Sequence, residues 1–175
     1  YKGTPDGKIG GEPIARLMRG MGGKSVGNMG GFRVSGRNPP GYNFVVLYTT
    51  GKTIDWPDHL DKETGLFTYF GDNREPGQEL HGTSKGGNLL LRDVFTSKHH
   101  GDRESPPFFL FEHVGNGRDV RFLGLAAPGG NGLTSNADLI AVWKATKGQR
   151  FQNYQSIFTV LDTGTIDRRW LEELY

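Results

Sequence analysis

Strand-like runs follow one another along this chain, most of them separated by glycine-rich turns. "YNFVVLYTT" (42–50), "LFTYF" (66–70), "FFLFEHV" (108–114), "DVRFLGLAA" (119–127), "LIAVWKAT" (139–146) and "RFQNYQSIFTVLDT" (150–163) are rich in β-branched and aromatic residues, and "FRVSG" opens a further strand at Phe32. "GNGR" between two of these runs predicts a tight hairpin turn. Helical patterns are few. "EPIARLMR" (12–19) places Ile14, Leu17 and Met18 on one face, with Pro13 suited to a first helical position. "NLLLRDVFTSKH" (88–99) offers Asn88 as a cap and Leu90, Leu91, Val94 and Phe95 as an apolar face. "RRWLEELY" follows Asp167, a candidate cap for a short terminal helix. Roughly seven strands, two or three short helices and no repeating βαβ rhythm predict an α+β fold. The expected form is a strongly curved β-barrel with short helices outside it. No linker and no internal repeat interrupts the pattern, so residues 1–175 are expected to form a single domain.

Composition removes several classes. The 28 glycines and 9 prolines have no G-X-Y period, which excludes collagen, and they fit turns between short strands. Eleven phenylalanines supply core area, so the chain reads as folded. No apolar run is long enough to span a bilayer. The absence of cysteine excludes disulfides and thiolate metal sites and fits a reducing cytosol. The first residue is Tyr1, not Met, so a fragment of a longer chain is expected. Charge is unevenly placed. Residues 1–40 hold seven basic side chains (Lys2, Lys8, Arg16, Arg19, Lys24, Arg33, Arg37) against Asp6 and Glu12. Such a cluster suits a polyanion, and equally a solubilising surface.

Catalytic patterns are missing. His99 and His100 are adjacent, with Asp102 and Glu104 near, but adjacent residues point to different sides and lack the i, i+4 spacing of a zinc helix. His81 and His113 have no partner visible in sequence. Asp72, Glu75, Glu79 and Lys85 share one loop without the acid-x-Lys pairing of a metal-dependent nuclease. "GGKSVG" lacks the glycine spacing and leading strand of a phosphate loop. No catalytic residue, metal or cofactor is expected.

The stretch "DWPDHLDKETGLFTYFGDN" (55–73) is different. Trp56 and Tyr69 bracket a loop carrying Asp55, Asp58, Asp61 and Glu63. An extruded nucleobase is held by aromatic faces and read on its Watson–Crick edge by polar groups. The N4 amino group of cytosine suits a carboxylate acceptor. Two readings stand side by side: a base pocket, or two core aromatics beside a solvated acidic loop.

The order "VGNMGGFRVSG", "YNFVVLY", "DWPDHLDKETGLFTYFGDN", "GGNLLLRDVF" resembles the SRA (SET- and RING-associated) domain over about residues 20–95. The matching pieces are Val26 to Arg33, the "F-T-Y-F-G" segment Phe67–Gly71 with its stacking tyrosine, and Asn88 to Leu91 at a helix start. The remainder, "PFFLFEHVGNGRDVRFLGLAAPG" and "RFQNYQSIFTVLD" to "RRWLEELY", is similar to the SRA-like domains of bacterial modification-dependent restriction endonucleases of the McrA type. The resemblance implies a cytoplasmic, bacterial reader of double-stranded DNA bearing 5-methylcytosine or another 5-modified cytosine. It implies base flipping, and a linked nuclease domain that does the cutting. It places Trp56, Asp58, Tyr69, Phe70 and Asp55 in the pocket, with Asp55 and His59 as rivals of Asp58. Lys24, Arg33, Arg37, Arg74, Lys85 and Asn88 are expected on the DNA backbone. Residues 73–87 are shorter and less basic than the family's finger loop, with Arg74 and Lys85 only, which implies loose sequence context. Rival functions are a PUA-like RNA-binding barrel, a metal-dependent nuclease and a protein-interaction barrel.

Overall fold

The computed structural model describes residues 1–3, 11–27, 30–36, 41–101, 105–115 and 117–175. Among them are eight strands and three helices, an α+β fold. They divide into two compact units, and the chain passes between them more than once.

The first unit comprises Tyr1–Gly51, Pro106–Ala126 and Leu161–Tyr175. It holds α1 (Ile14–Leu17), β1 (Phe32–Gly36), β2 (Tyr42–Thr49), the strand that becomes β5 (Phe108–Val114), most of β6 (Asp119–Pro128), and α3 (Arg168–Glu173). β1 and β2 are antiparallel, β2 and β5 are parallel, and β5 and β6 are antiparallel, so the sheet is mixed. The unbroken apolar run of β2 suits a strand covered on both faces, and Phe44 to Leu47 are all buried. Phe44, Val46, Phe109 and Phe111 pack with Ile14 of α1, with Met18 at its C-terminal end and with Leu171 of α3.

The second unit comprises Lys52–Ser105 and Ala127–Val160. It holds β3 (His59–Leu60), β4 (Leu66–Phe70), α2 (Gly87–His100), β7 (Leu139–Thr146) and nearly all of β8 (Gln149–Leu161). β4 pairs with β3 on one side and β8 on the other, and β7 pairs with β8, all antiparallel. Phe95 of α2 meets Phe158 of β8 edge-on at 5.4 Å.

Most expected elements appear within a residue or two of their expected bounds. Three details differ. β3 is a two-residue piece inside the acidic loop and was not expected. α1 is a single turn, and Pro13 precedes its first helical residue. α2 begins at Gly87, one residue before Asn88, so Asn88 is not its cap. The strand paths are linear within each unit among the described residues: β1-β2-β5-β6 in the first and β3-β4-β8-β7 in the second. Neither closes on itself as the expected barrel would.

Candidate nucleic-acid interface

The acidic loop is built in pieces, each carboxylate with its own task. Asp61 makes the turn between β3 and β4. Its Oδ1 accepts from the backbone N–H of Glu63 at 2.9 Å and of Thr64 at 3.4 Å. These bonds hold the Asp61 carboxyl below the usual aspartate pKa, the Glu63 N–H contributing most. Gly65, at φ 72°, completes the turn. Asp58 lies just before β3, and its Oδ1 accepts from the backbone N–H of Phe70 at 2.9 Å. That bond pins the loop to the end of β4. Asp55 is exposed and pairs with Lys144 of β7 at 2.7 Å, and the same ammonium donates to the Asp55 carbonyl at 3.2 Å.

Trp56 is only 4% exposed. Its ring lies 5.5 Å from Phe70 and 6.0 Å from Phe151 of β8, and Lys144 Nζ sits 4.8 Å from its centroid. Tyr69 is fully buried, its ring 5.6 Å from Phe67. Successive residues of a strand point to opposite faces. Tyr69 therefore turns with Phe67 to one face of β4, while Phe70 turns to Trp56 on the other. The structure brings together Trp56, Phe70 and the Asp55–Lys144 pair, and it fixes Asp58 beside the Tyr69–Phe70 peptide. It does not set Trp56 and Tyr69 face to face as two walls of one slot.

Residues 71–88 form a densely bonded polar layer, in which Asn73 Oδ1 is buried without a hydrogen-bond partner. The Asp72 carboxylate accepts from Gly87 N–H and Asn88 N–H, each at 2.9 Å, and from the Thr83 hydroxyl. It is the acid that caps α2. Asn88 is fully buried: its Oδ1 accepts from Asp72 N–H at 3.2 Å and its Nδ2 donates to Leu80 O at 2.8 Å. Asn153 of β8 donates to Gly71 O at 3.1 Å and accepts from Asn73 N–H at 3.2 Å. A Cβ on Gly71 would stand 1.7 Å from Asn88 Oδ1 and 2.5 Å from Asn153 Oδ1, so only glycine fits there. His81 Nε2 meets the Tyr154 hydroxyl at 2.9 Å, and burial lowers the pKa of its imidazole.

The expected phosphate contacts fare unevenly. Lys24 and Lys85 are exposed. Arg74 is also exposed, with its Nε donating to Gly71 O at 3.3 Å. Arg33 is buried, paired with Glu12 at 2.5 Å and stacked 5.2 Å from the Tyr48 centroid. Its charge is neutralised inside the first unit, and a phosphate role would expose a buried glutamate. Asn88 is likewise committed to backbone partners and offers nothing to a phosphate. Arg37, Asp102 and Glu104 lie outside the described residues. Sequence reasoning missed Lys144 and the Asn73–Asn153 bonding. Lys144 lies 89 residues from Asp55, and only β-pairing brings it there. Among the described residues, no group of three acids or histidines could hold a metal ion, and no helix is long and apolar enough to cross a membrane.

Solved structures share this fold. The "DNA recognition domain of the cytosine modification-dependent restriction endonuclease LpnPI" is 42% identical with a TM-score of 0.90, over 99% of this chain and 77% of that one. The "DNA modification-dependent restriction endonuclease AspBHI" is 42% identical with a TM-score of 0.89, over 99% and 79%. The MspJI restriction endonuclease, solved with a 27-mer oligonucleotide, shares the fold at 23% identity and a TM-score of 0.62, over 87% and 38%. No curated protein sequence matches significantly. The family model of the AspBHI restriction endonuclease N-terminal region matches residues 1–175, and the chain belongs to that family.

Proposed function

We propose that this chain recognises double-stranded DNA carrying 5-methylcytosine or another 5-modified cytosine and directs a linked nuclease domain to it, without cutting DNA itself. Family membership over the whole length carries this reading. The relatives whose names specify DNA modification are 42% identical. The cytosine is extruded from the duplex, and Asp58, fixed by the Phe70 N–H, accepts from its N4 amino group. Tyr69 provides a stacking face once the pocket opens. Trp56, Phe70 and the Asp55–Lys144 pair support the loop from behind. Lys24, Arg74 and Lys85 bind phosphates and set the register. In this reading residues 1–175 act as one domain, the strands curve toward the barrel of SRA domains, and the protein works in a bacterial cytoplasm.

The test is a titration of the chain against matched duplexes with cytosine, 5-methylcytosine, 5-hydroxymethylcytosine and glucosylated cytosine at one salt concentration. Preference for a modified duplex is expected. Asp58→Ala should reduce that preference by about 5- to 150-fold, the equivalent of about 1–3 kcal/mol, while general DNA affinity persists. Equal affinity of the parent chain for all four duplexes overturns the reading. A larger loss in Asp55→Ala than in Asp58→Ala moves the base-reading carboxylate to Asp55.

A further inference from the structure

Beyond Phe70↔Gln155, the last pair that β4 makes with β8, β7 and β8 continue as a two-stranded ribbon. It runs in unbroken register from Ala141↔Tyr154 to Thr146↔Gln149, about 17 Å at ~3.4 Å per residue. Lys147 and Gly148 close it with φ of 51° and 76°, the two positive values of a type I′ turn, whose twist matches the strands. The tip is therefore well defined.

The two faces of the ribbon differ. One face packs under the acidic loop: Val142 and Phe151 lie against Trp56, and Lys144 holds Asp55. The alternate residues form the other face. Trp143 is 58% exposed there, with the Arg150 guanidinium 4.6 Å from its ring centroid. Gln152 and Tyr154 continue that face toward His81, which the Tyr154 hydroxyl meets. From Leu139 through Leu161 the sequence has Lys144, Lys147 and Arg150 and no acidic residue. A large ring with a cation stacked on it, on an acid-free ribbon, suits a polyanion that also offers flat apolar faces.

We propose that the tip of the β7–β8 ribbon is a second DNA-contacting element, entering a groove of the duplex beside the extruded base. Trp143 and Arg150 lie against base edges or an opened base step, and Lys147 lies on a phosphate. A two-stranded ribbon fits the major groove, about 12 Å wide, where the 5-substituent of cytosine projects. Because Trp56 packs on Phe151 and Val142 of this ribbon and Asp55 pairs with its Lys144, this contact and the pocket are mechanically joined. The inference rests on the DNA-reading function proposed above.

The experiment uses the 175-residue chain and a duplex with one 5-methylcytosine, beside its unmodified counterpart, over a salt series. Trp143→Ala should weaken binding to both duplexes, by about 5- to 150-fold for the modified one. Its thermal unfolding should match the parent's, because the ring is exposed. Lys147→Asn keeps the turn and removes the charge, and it should lower the salt slope by about one. A parent chain that prefers the modified duplex while both variants bind as it does overturns this inference and leaves the proposed function standing. A parent chain with no preference overturns the function first. Loss of preference in Trp143→Ala with unmodified binding intact would put the ring inside the base pocket and also overturn the groove contact.

Discussion

The second unit contains two polar, carboxylate-bearing loops that look alike as sequence and behave oppositely. In residues 55–63 the acids stay near solvent: Asp61 makes a turn, Asp58 accepts from the Phe70 N–H, and Asp55 reaches out to Lys144. In residues 71–88 Asp72 turns inward to the N–H groups that start α2, Asn73 donates to Gln152 O of β8, and Asn88 donates to Leu80 O, while Glu75 and Glu79 stay exposed. Most of the inward loop's buried polar atoms are bonded, Asn73 Oδ1 excepted, so that loop gains a fixed geometry. The outward loop keeps its carboxylates nearer to solvent and is held at separate points. A reading element and its rigid support are distinguished by where their hydrogen bonds go.

The sharpest way to break this contrast is Gly71→Ala. The added methyl collides with Asn88 Oδ1 and Asn153 Oδ1 together, and both amides are held by backbone. A loss of about 3 kcal/mol, the upper end for overpacking, is expected in denaturant unfolding. A near-neutral result would mean that the inward loop is as adjustable as the outward one.

A smaller effect tests the outward loop. Lys144→Met removes a half-exposed ion pair and a cation–π contact while keeping the stem against Trp56. About 1 kcal/mol or less of stability should be lost. Preference for modified DNA should fall more than stability does, because Asp55 and Trp56 lose their tether. Competition binding alongside unfolding separates the two.

The smallest effect is a pH dependence. Burial lowers the His81 pKa, so the folded state binds the proton less well than the unfolded chain does. Stability from this group is complete above the ordinary histidine pKa of about 6.5 and is lost as pH falls from there through the folded value. His81→Gln should flatten that part of the stability–pH curve. The same curve in both proteins would show that burial of His81 carries no such cost.

Much of this was legible before any coordinates. The β-branched and aromatic residues of "LFTYF" and "LIAVWKAT" placed β4 and β7 to the residue, because strand propensity is a local property. The family resemblance rests on motif order and needed no contacts. Other features were not legible. "HL" at 59–60 is too short for a pattern, and only its partner strand makes it β3. Asn88 looks like a helix cap, yet Asp72, 16 residues earlier, does the capping.

The sequence by itself determined most of the elements, their order and the family, since these follow from local propensity and motif spacing. The tertiary structure alone decided which polar groups are spent and which remain. Arg33 is basic in sequence and buried against Glu12 in the fold. Trp56 and Tyr69, bracketing one loop in sequence, turn to different faces because a strand alternates. Lys144 joins Asp55 only through pairing with β8. Charge, stacking and hydrogen bonding depend on distances of a few ångströms, and for residues far apart in the chain those distances are set by packing.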